Sequence, residues 1–353
     1  MKKILFLSTI LFFFATTSLA SDPLIPPRYA TLWKNGIAQN LTCGTHNASA
    51  NSVFVSGNDV YVVGFDTRGF ADSSPRTAML WKNGVAQELV SETNCTVAYS
   101  VFVLGKNVFV VGSGRFDIGY WGNNTHWRRY GNRIAIVWKN GVEQKLTDGN
   151  RSARAHSVFA YNDNVYVLIQ KYNGIGSVVL WKNGVKQKIA TESHSVTAYS
   201  LFVSNNDVYI VGRRSEDGST LWKNGIAETF SDRFSGQSIF VSNNDIYVVG
   251  YGYPNGTALW RNGKLQHFDN DNAHQSRVSA IFVSDGNVYI AGQRRYGSNW
   301  RDFDFRPTLW KNGVAQTLAS DESRWGECNS ANSVFVSDDG DVYVVGHTKS
   351  SRW

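Results

Sequence analysis

Cysteine is scarce. The 353 residues hold three, Cys43, Cys95 and Cys328. Three thiols cannot staple a chain of this length, which excludes a disulfide-rich scaffold. An odd count leaves at least one thiol free or intermolecular. All three fall in the same part of a repeated unit, so one disulfide is expected, its pairing open. No Cys-x-x-Cys and no Cys/His ligand spacing occurs, so no metal centre is expected. Helical periodicity is absent after residue 20, which excludes a bundle. No apolar run after residue 20 is long enough to span a bilayer, so no transmembrane anchor is expected. Catalytic signatures are missing too. There is no Gly-x-Ser-x-Gly elbow, no phosphate-cradling glycine loop and no His-Glu-x-x-His. No cofactor is expected.

What is present begins with "MKKILFLSTILFFFATTSLA" at 1–20. Two lysines, a short apolar stretch and small residues around Ser18 and Ala20 read as a cleavable secretory signal of bacterial style. The expected mature protein is residues 21–353, one domain, secreted or periplasmic. The net charge of +7 falls to about +5 without Lys2 and Lys3, a mild excess that favours anionic partners. Nucleic acid is not expected for an exported protein. The expected state is a monomer.

The dominant feature is repetition. "LWKNGIAQ" at 32–39 returns at 80–87, 137–144, 180–187, 221–228, 259–266 and 309–316, seven times in all. Between these runs lies "SVFVSGNDVYVVG" at 52–64, also seven times, ending with "SVFVSDDGDVYVVG" at 333–346. The tryptophans of the octapeptide stand 38 to 57 residues apart, a spacing that suits propeller blades. Each motif predicts a β-hairpin. Runs such as "VFVS" and "VYVVG" are β-branched and aromatic about a polar turn. Asn-Gly is the strongest short signal for a type I′ turn, which needs positive φ at both central residues. Two hairpins make one four-stranded blade. The predicted fold is an all-β, seven-bladed β-propeller with antiparallel blades. Its order from the axis outward is "SVFVS", "VYVVG", "TLW", "VAQEL". The outer pair at 30–41 and the inner pair at 333–346 share one blade and close the ring. Trp33, Trp81, Trp138, Trp181, Trp222, Trp260 and Trp310 are expected to pack between blades.

These motifs resemble secreted bacterial propeller-repeat proteins with "LWKNGV…SVFVSGNDVYVVG" blades, a largely uncharacterised group, over nearly all of 29–346. They are partly similar to kelch repeats, whose second strand ends in a glycine pair. Here one glycine stands at that place (Gly64, Gly112, Gly212, Gly250, Gly292, Gly346), and Gln170 follows "VLI" in the third unit. No activity is implied by either resemblance.

Function is then expected on the face opposite the tight turns, where the repeats diverge. The turn face carries Lys34, Lys82, Lys139, Lys182, Lys223, Arg261 and Lys311, read as solubilising turn residues. The other face carries long loops at 113–133, 293–306 and 320–332. They supply Trp121, Trp127, Arg128, Arg129, Arg294, Arg295, Trp300, Arg301 and Trp325. Flat aromatic faces beside guanidinium donors suit sugars and their acidic groups. The residues just before each predicted inner strand are Asn51, Tyr99, His156, Tyr199, Gln237, Ser279 and Asn332. These seven are expected to ring the mouth of the central channel. Six of the seven histidines map to this face (His46, His126, His156, His194, His274, His347) without sharing ligand spacing. Asp66, Asp117, Glu92, Glu192, Asp302 and Asp304 are its carboxylates, and none stands out as a catalytic pair. The expected function is a non-enzymatic module that binds a glycan or an envelope or host protein. A polysaccharide lyase or hydrolase at the channel mouth and an envelope assembly scaffold are the alternatives.

Overall fold

A computed structural model describes residues 27–67, 69, 74–120, 128–172, 176–189, 195–215, 218–230, 234–252, 256–268, 276–296, 304–318 and 329–349. Side chains at 117–120, 128–130 and 304 are outside that description. The described residues form seven four-stranded antiparallel sheets, one two-stranded sheet and no helix. This is a seven-bladed β-propeller. Blade 1 is representative, with strands Ala48–Ser56, Asp59–Thr67, Arg76–Lys82 and Val85–Glu88 from the axis outward. Each inner strand touches the inner strands of both neighbouring blades, and the contacts run once around the ring.

Blade 7 takes its outer pair, Arg28–Lys34 and Ile37–Asn40, from the start of the propeller, and its inner pair, Ser330–Val336 and Val342–Lys349, from the end. Leu32 pairs with Val345 and Trp33 with Val344. That ladder closes the ring, and the outward edge of each blade is a strand of only four residues.

The core is seven clusters, one at each seam between blades. Trp138 of blade 2 packs against Tyr61, Val63, Leu80 and Leu89 of blade 1. Trp81 of blade 1 packs against Leu32, Tyr343 and Val345 of blade 7, and the other five tryptophans repeat the arrangement. Trp33, Trp138 and Trp310 are 0% exposed, so these rings are the wedges that set blade spacing. On the inner strands Phe54, Phe102, Phe159, Phe202, Phe240, Phe282 and Phe335 form a closed band. Neighbouring ring centroids lie 4.6–4.9 Å apart.

The asparagine of the octapeptide has a second task beyond its turn. Asn83 sits at φ +51°, which asparagine tolerates better than most residues. Its N–H donates to Val60 O at 2.9 Å. Its Oδ1 accepts from Val60 N at 2.8 Å, and its Nδ2 donates to Asp59 Oδ1 at 2.8 Å. The outer hairpin is thereby locked to the start of the second strand. Asn35, Asn140, Asn183, Asn224, Asn262 and Asn312 make the same three bonds in their blades.

The lysines of the turn face are spoken for. Lys34, Lys82, Lys139, Lys182, Lys223, Arg261 and Lys311 each stand 5.0–5.7 Å from the centroid of the Tyr or Phe ring on the second strand. Lys34, Lys82 and Lys223 also pair with Asp341, Asp59 and Asp207 at 2.7–2.9 Å, and Arg261 pairs with Asp245.

Two expectations need correction. The described part of 113–133 contains strand rather than loop alone: the second strand of blade 2 runs on to Arg115, and Asp117–Tyr120 pairs with Arg128–Tyr130. Likewise the described ends of 293–306 are ladder, since Asn287–Tyr296 pairs with Asp304–Lys311 out to Tyr296↔Asp304. The expected disulfide is also not formed at either described cysteine. Cys43 and Cys95 are free thiols, one exposed and one buried, and Cys328 lies outside the described residues.

Candidate functional site

The seven residues expected just before the inner strands lie inside them. Every inner strand starts earlier than its sequence predicts and carries a β-bulge at that position. In blade 1 Ala50 pairs with Gly64 and Ser52 with Val63, so Asn51 is the extra residue. Tyr99, His156, Tyr199, Gln237, Ser279 and Asn332 are the extra residues of blades 2 to 7. A bulge re-aims the side chain it carries. Here the seven extra residues stand at one level of the inner strands, on the loop side of the phenylalanine band.

The conserved-looking glycine after "VYVV" is part of this device. A Cβ on Gly64 would stand 1.9 Å from Ser49 O, because the strand before the bulge presses onto the second strand there. Five other blades show the same approach. Blade 3 has Ile169 in that place and still bulges. Its next residue, Gln170, is buried and bridges to blade 4. Gln170 Nε2 donates to Val196 O at 2.8 Å, and its Oε1 accepts from Ala198 N at 3.0 Å.

The bulge residues divide into two groups. Asn51 and Asn332 serve the scaffold: their Nδ2 groups donate to Ala98 O at 2.7 Å and Ala50 O at 2.8 Å in the next blade. Ser49, Ser330 and His347 join them in one polar network. Tyr99 and His156 stack on each other across the seam between blades 2 and 3, with centroids 5.6 Å apart at 24°. Tyr99 Oη lies 3.2 Å from Ser113 Oγ, and His156 Nε2 lies 3.4 Å from Tyr172 Oη. Burial, and then the charge of Arg154, pushes the His156 imidazole down to about 4, so it is neutral at pH 7. Tyr199 and Gln237 are half-buried, and Ser279 is exposed.

Three arginines that the sequence reading passed over gather at the same seam. The Arg133 guanidinium is held below its usual range by burial first, then by the like charges of Arg154 and Arg115. Backbone bonds put Arg133 at the junction. Its N–H donates to Ser152 Oγ at 3.1 Å, and its carbonyl accepts from Ala153 N at 2.8 Å. Arg154 lies 5.3 Å from the centroid of the Tyr172 ring. On the loop face of the same seam a cleft of about 800 Å³ opens. Lys145, Arg151, Lys171, Lys186 and Lys188 line it together with Asp148.

Trp121, Trp127, Trp300, Arg301 and Trp325 lie outside the described residues, and Arg128 and Arg129 are placed only as members of their strand. Arg294 and Arg295 lie on the extended strand of blade 6, with Arg294 and Arg306 at 5.7 and 4.6 Å from the Tyr296 ring centroid. No group of three metal-ligating side chains forms among the described residues. Of the described carboxylates, Glu92 pairs with Lys145. Asp66 is raised above the usual range by burial. No second carboxylate is found beside it among its described electrostatic neighbours except Glu88. No helix among the described residues is long and apolar enough to cross a membrane.

No protein-family model and no curated protein matches the chain. Among solved structures it is similar to the computationally designed protein Ika8, with 18% identity, a TM-score of 0.45, and 86% of this chain and 98% of that one covered. It is also similar to the Trypanosoma rangeli sialidase in complex with the inhibitor DANA, at 8% identity and a TM-score of 0.47, over 88% of this chain and 56% of that one. A third likeness is to Pyrococcus horikoshii acylaminoacyl peptidase, at 12% identity and a TM-score of 0.44, over 84% of this chain and 57% of that one. The chain thus spans a little over half the length of the sialidase and the peptidase. At such identities no residue role passes from them to this chain.

Proposed function

We propose that this propeller is an exported, non-enzymatic binding module that holds a glycan at the bulge end of its central channel. One observation carries the reading. Seven β-bulges repeat the same backbone geometry, yet they present five kinds of side chain: two Asn, two Tyr, and one each of His, Gln and Ser. The turn face is the opposite, with near-uniform residues all used in local pairing. A rigid frame that displays varied polar and aromatic groups at one opening is the usual construction of a ligand site. Tyr99, His156, Tyr199 and Gln237 are the contact residues in this reading, with aromatic faces for sugar rings and amide and hydroxyl groups for their oxygens. The leader-like segment at 1–20 supports export.

The test is an array of neutral and acidic glycans probed with residues 21–353 at low and physiological salt. Selective binding that survives salt, and that Tyr99→Ala with Tyr199→Ala removes, is the expected result. Silence across the array, or binding indifferent to both substitutions, overturns the reading.

A further inference from the structure

The seam between blades 2 and 3 gathers cations at both of its ends. At its inner end Arg133 stands within electrostatic reach of Arg154 and Arg115, and among the described residues no carboxylate is named as acting on Arg133 or His156. Arg154 Nε is buried with no hydrogen-bond partner. At its outer end lies the cleft. Its floor is Leu146, Ala153 and Val179, and its walls carry Thr147, Asn150 and Ser177 between the cations. Asp148 is the one acid among its described lining residues, its carboxylate accepting from Asn150 N at 3.1 Å and Nδ2 at 2.7 Å, and Lys145 at the rim pairs with Glu92. The outer strand of blade 3, Val185–Lys188, reads "VKQK" where blade 1 reads "VAQE". The extra lysines, Lys186 and Lys188, both line the cleft.

Like charges gathered in a partly buried place repel one another and lower stability. An anion seated among them removes that penalty and gains paired donors from guanidinium groups. The cleft is recessed, which suits a chain threaded into it better than a flat membrane surface. Its mixture of cations, hydroxyls, an amide and an apolar floor matches a sugar ring bearing acidic substituents.

We infer that the loop-face seam between blades 2 and 3 is a binding groove for an acidic oligosaccharide. Arg133 and Arg154 take a carboxylate or sulfate near the channel, and Lys171 and Lys186 take acidic groups on the residues that follow outward. The inference rests on the proposal that this face binds glycans, and it adds the ligand's charge class and direction.

The experiment titrates residues 21–353 with two probes, a hexagalacturonate and a heparin-type sulfated hexasaccharide, in 150 mM salt. The doubly reversed variant Lys171→Glu/Lys186→Glu and the control Lys34→Glu/Lys82→Glu on the turn face are run alongside. Both variants change exposed or half-exposed lysines, and circular dichroism checks that they fold. Binding of at least one probe is expected, weakened tenfold or more by the seam variant and less than twofold by the control. Equal weakening by both variants reduces the effect to net charge and overturns the inference. So does wild-type affinity in the seam variant, or binding of acidic peptide or anionic vesicles but of neither saccharide. Neutral-glycan binding that depends on Tyr99 while both acidic probes fail overturns the groove and leaves the mouth reading standing. Acidic binding lost in the seam variant but untouched by Tyr99→Ala with Tyr199→Ala does the reverse.

Discussion

Replacing Asn83 by alanine tests what the octapeptide is for. The residue sits at φ +51°, and an L-residue without a short polar side chain pays about 1–2 kcal/mol to stay in that region. Alanine also deletes the acceptor for Val60 N, now 2.8 Å away, and a net hydrogen bond is worth about 1 kcal/mol. The expected loss is therefore about 2–3 kcal/mol. A domain of 150–250 residues moves by about 2–4 °C in Tm per kcal/mol, and this larger chain falls at the low end or below. A fall of about 4 °C in calorimetry is the expected result. Asn83→Gly separates the two causes, since glycine adopts positive φ freely but restores no side-chain bond. It should recover roughly half of the loss. A Tm unchanged in the alanine variant would refute the keystone role. A glycine variant no better than alanine would refute the backbone share of it.

Three further outcomes follow from the same geometry. Gly64→Ala should lower Tm beyond Gly57→Ala, because a Cβ at Gly64 meets Ser49 O at 1.9 Å, while one at Gly57 meets nothing within 4 Å and costs only the strain of φ +55°, about 1–2 kcal/mol; a shift at Gly64 no larger than that at Gly57 would show that the bulge relaxes freely. Cys43 should be alkylated by iodoacetamide ahead of Cys95, since it is exposed and its thiol is lowered by a hydrogen bond with Thr45, whereas Cys95 is 4% exposed; mass mapping that finds equal rates contradicts this. For His156 the folded pKa of about 4 lies below the ordinary 6.5, so the unfolded chain holds more protons between those values. Stability attributable to this residue is full above pH 6.5 and falls as the pH drops toward 4. His156→Asn should flatten that slope, and an imidazole proton titrating near pH 6.5 by NMR would sink the assignment.

The fold was legible because its signals are local and repeated. Asn-Gly at 35–36 or 83–84 dictates a turn, "VYVVG" dictates a strand, and seven copies dictate a ring. The bulges were not legible, for they depend on a carbonyl such as Ser49 O meeting Gly64 from another strand. Residues 48–50 read as loop because "ASA" carries no strand pattern of its own, yet the ladder with Gly64–Asp66 draws them in. The lysines of the turn face were read as solubilising. Their rings and acids, Tyr61 and Asp59 for Lys82, come from a different hairpin and appear only once the two are placed. Arg133 and Arg154 were missed for the same reason, standing 21 residues apart on different blades.

One signal of the seam was nevertheless in the sequence. Six blades keep the glycine opposite the bulge, and the third writes "VYVLIQK" instead. A copied unit departs from its siblings without penalty only where new contacts replace the old ones. Gln170 makes such contacts, satisfying Val196 O and Ala198 N of blade 4. The change also gives this blade Lys171, which lines the cleft, and Tyr172, which meets His156 and Arg154. The same blade carries the two extra lysines of its outer strand. In a ring of near-identical blades, the functional seam is therefore expected where several departures coincide on one blade, and blade 3 is where they coincide.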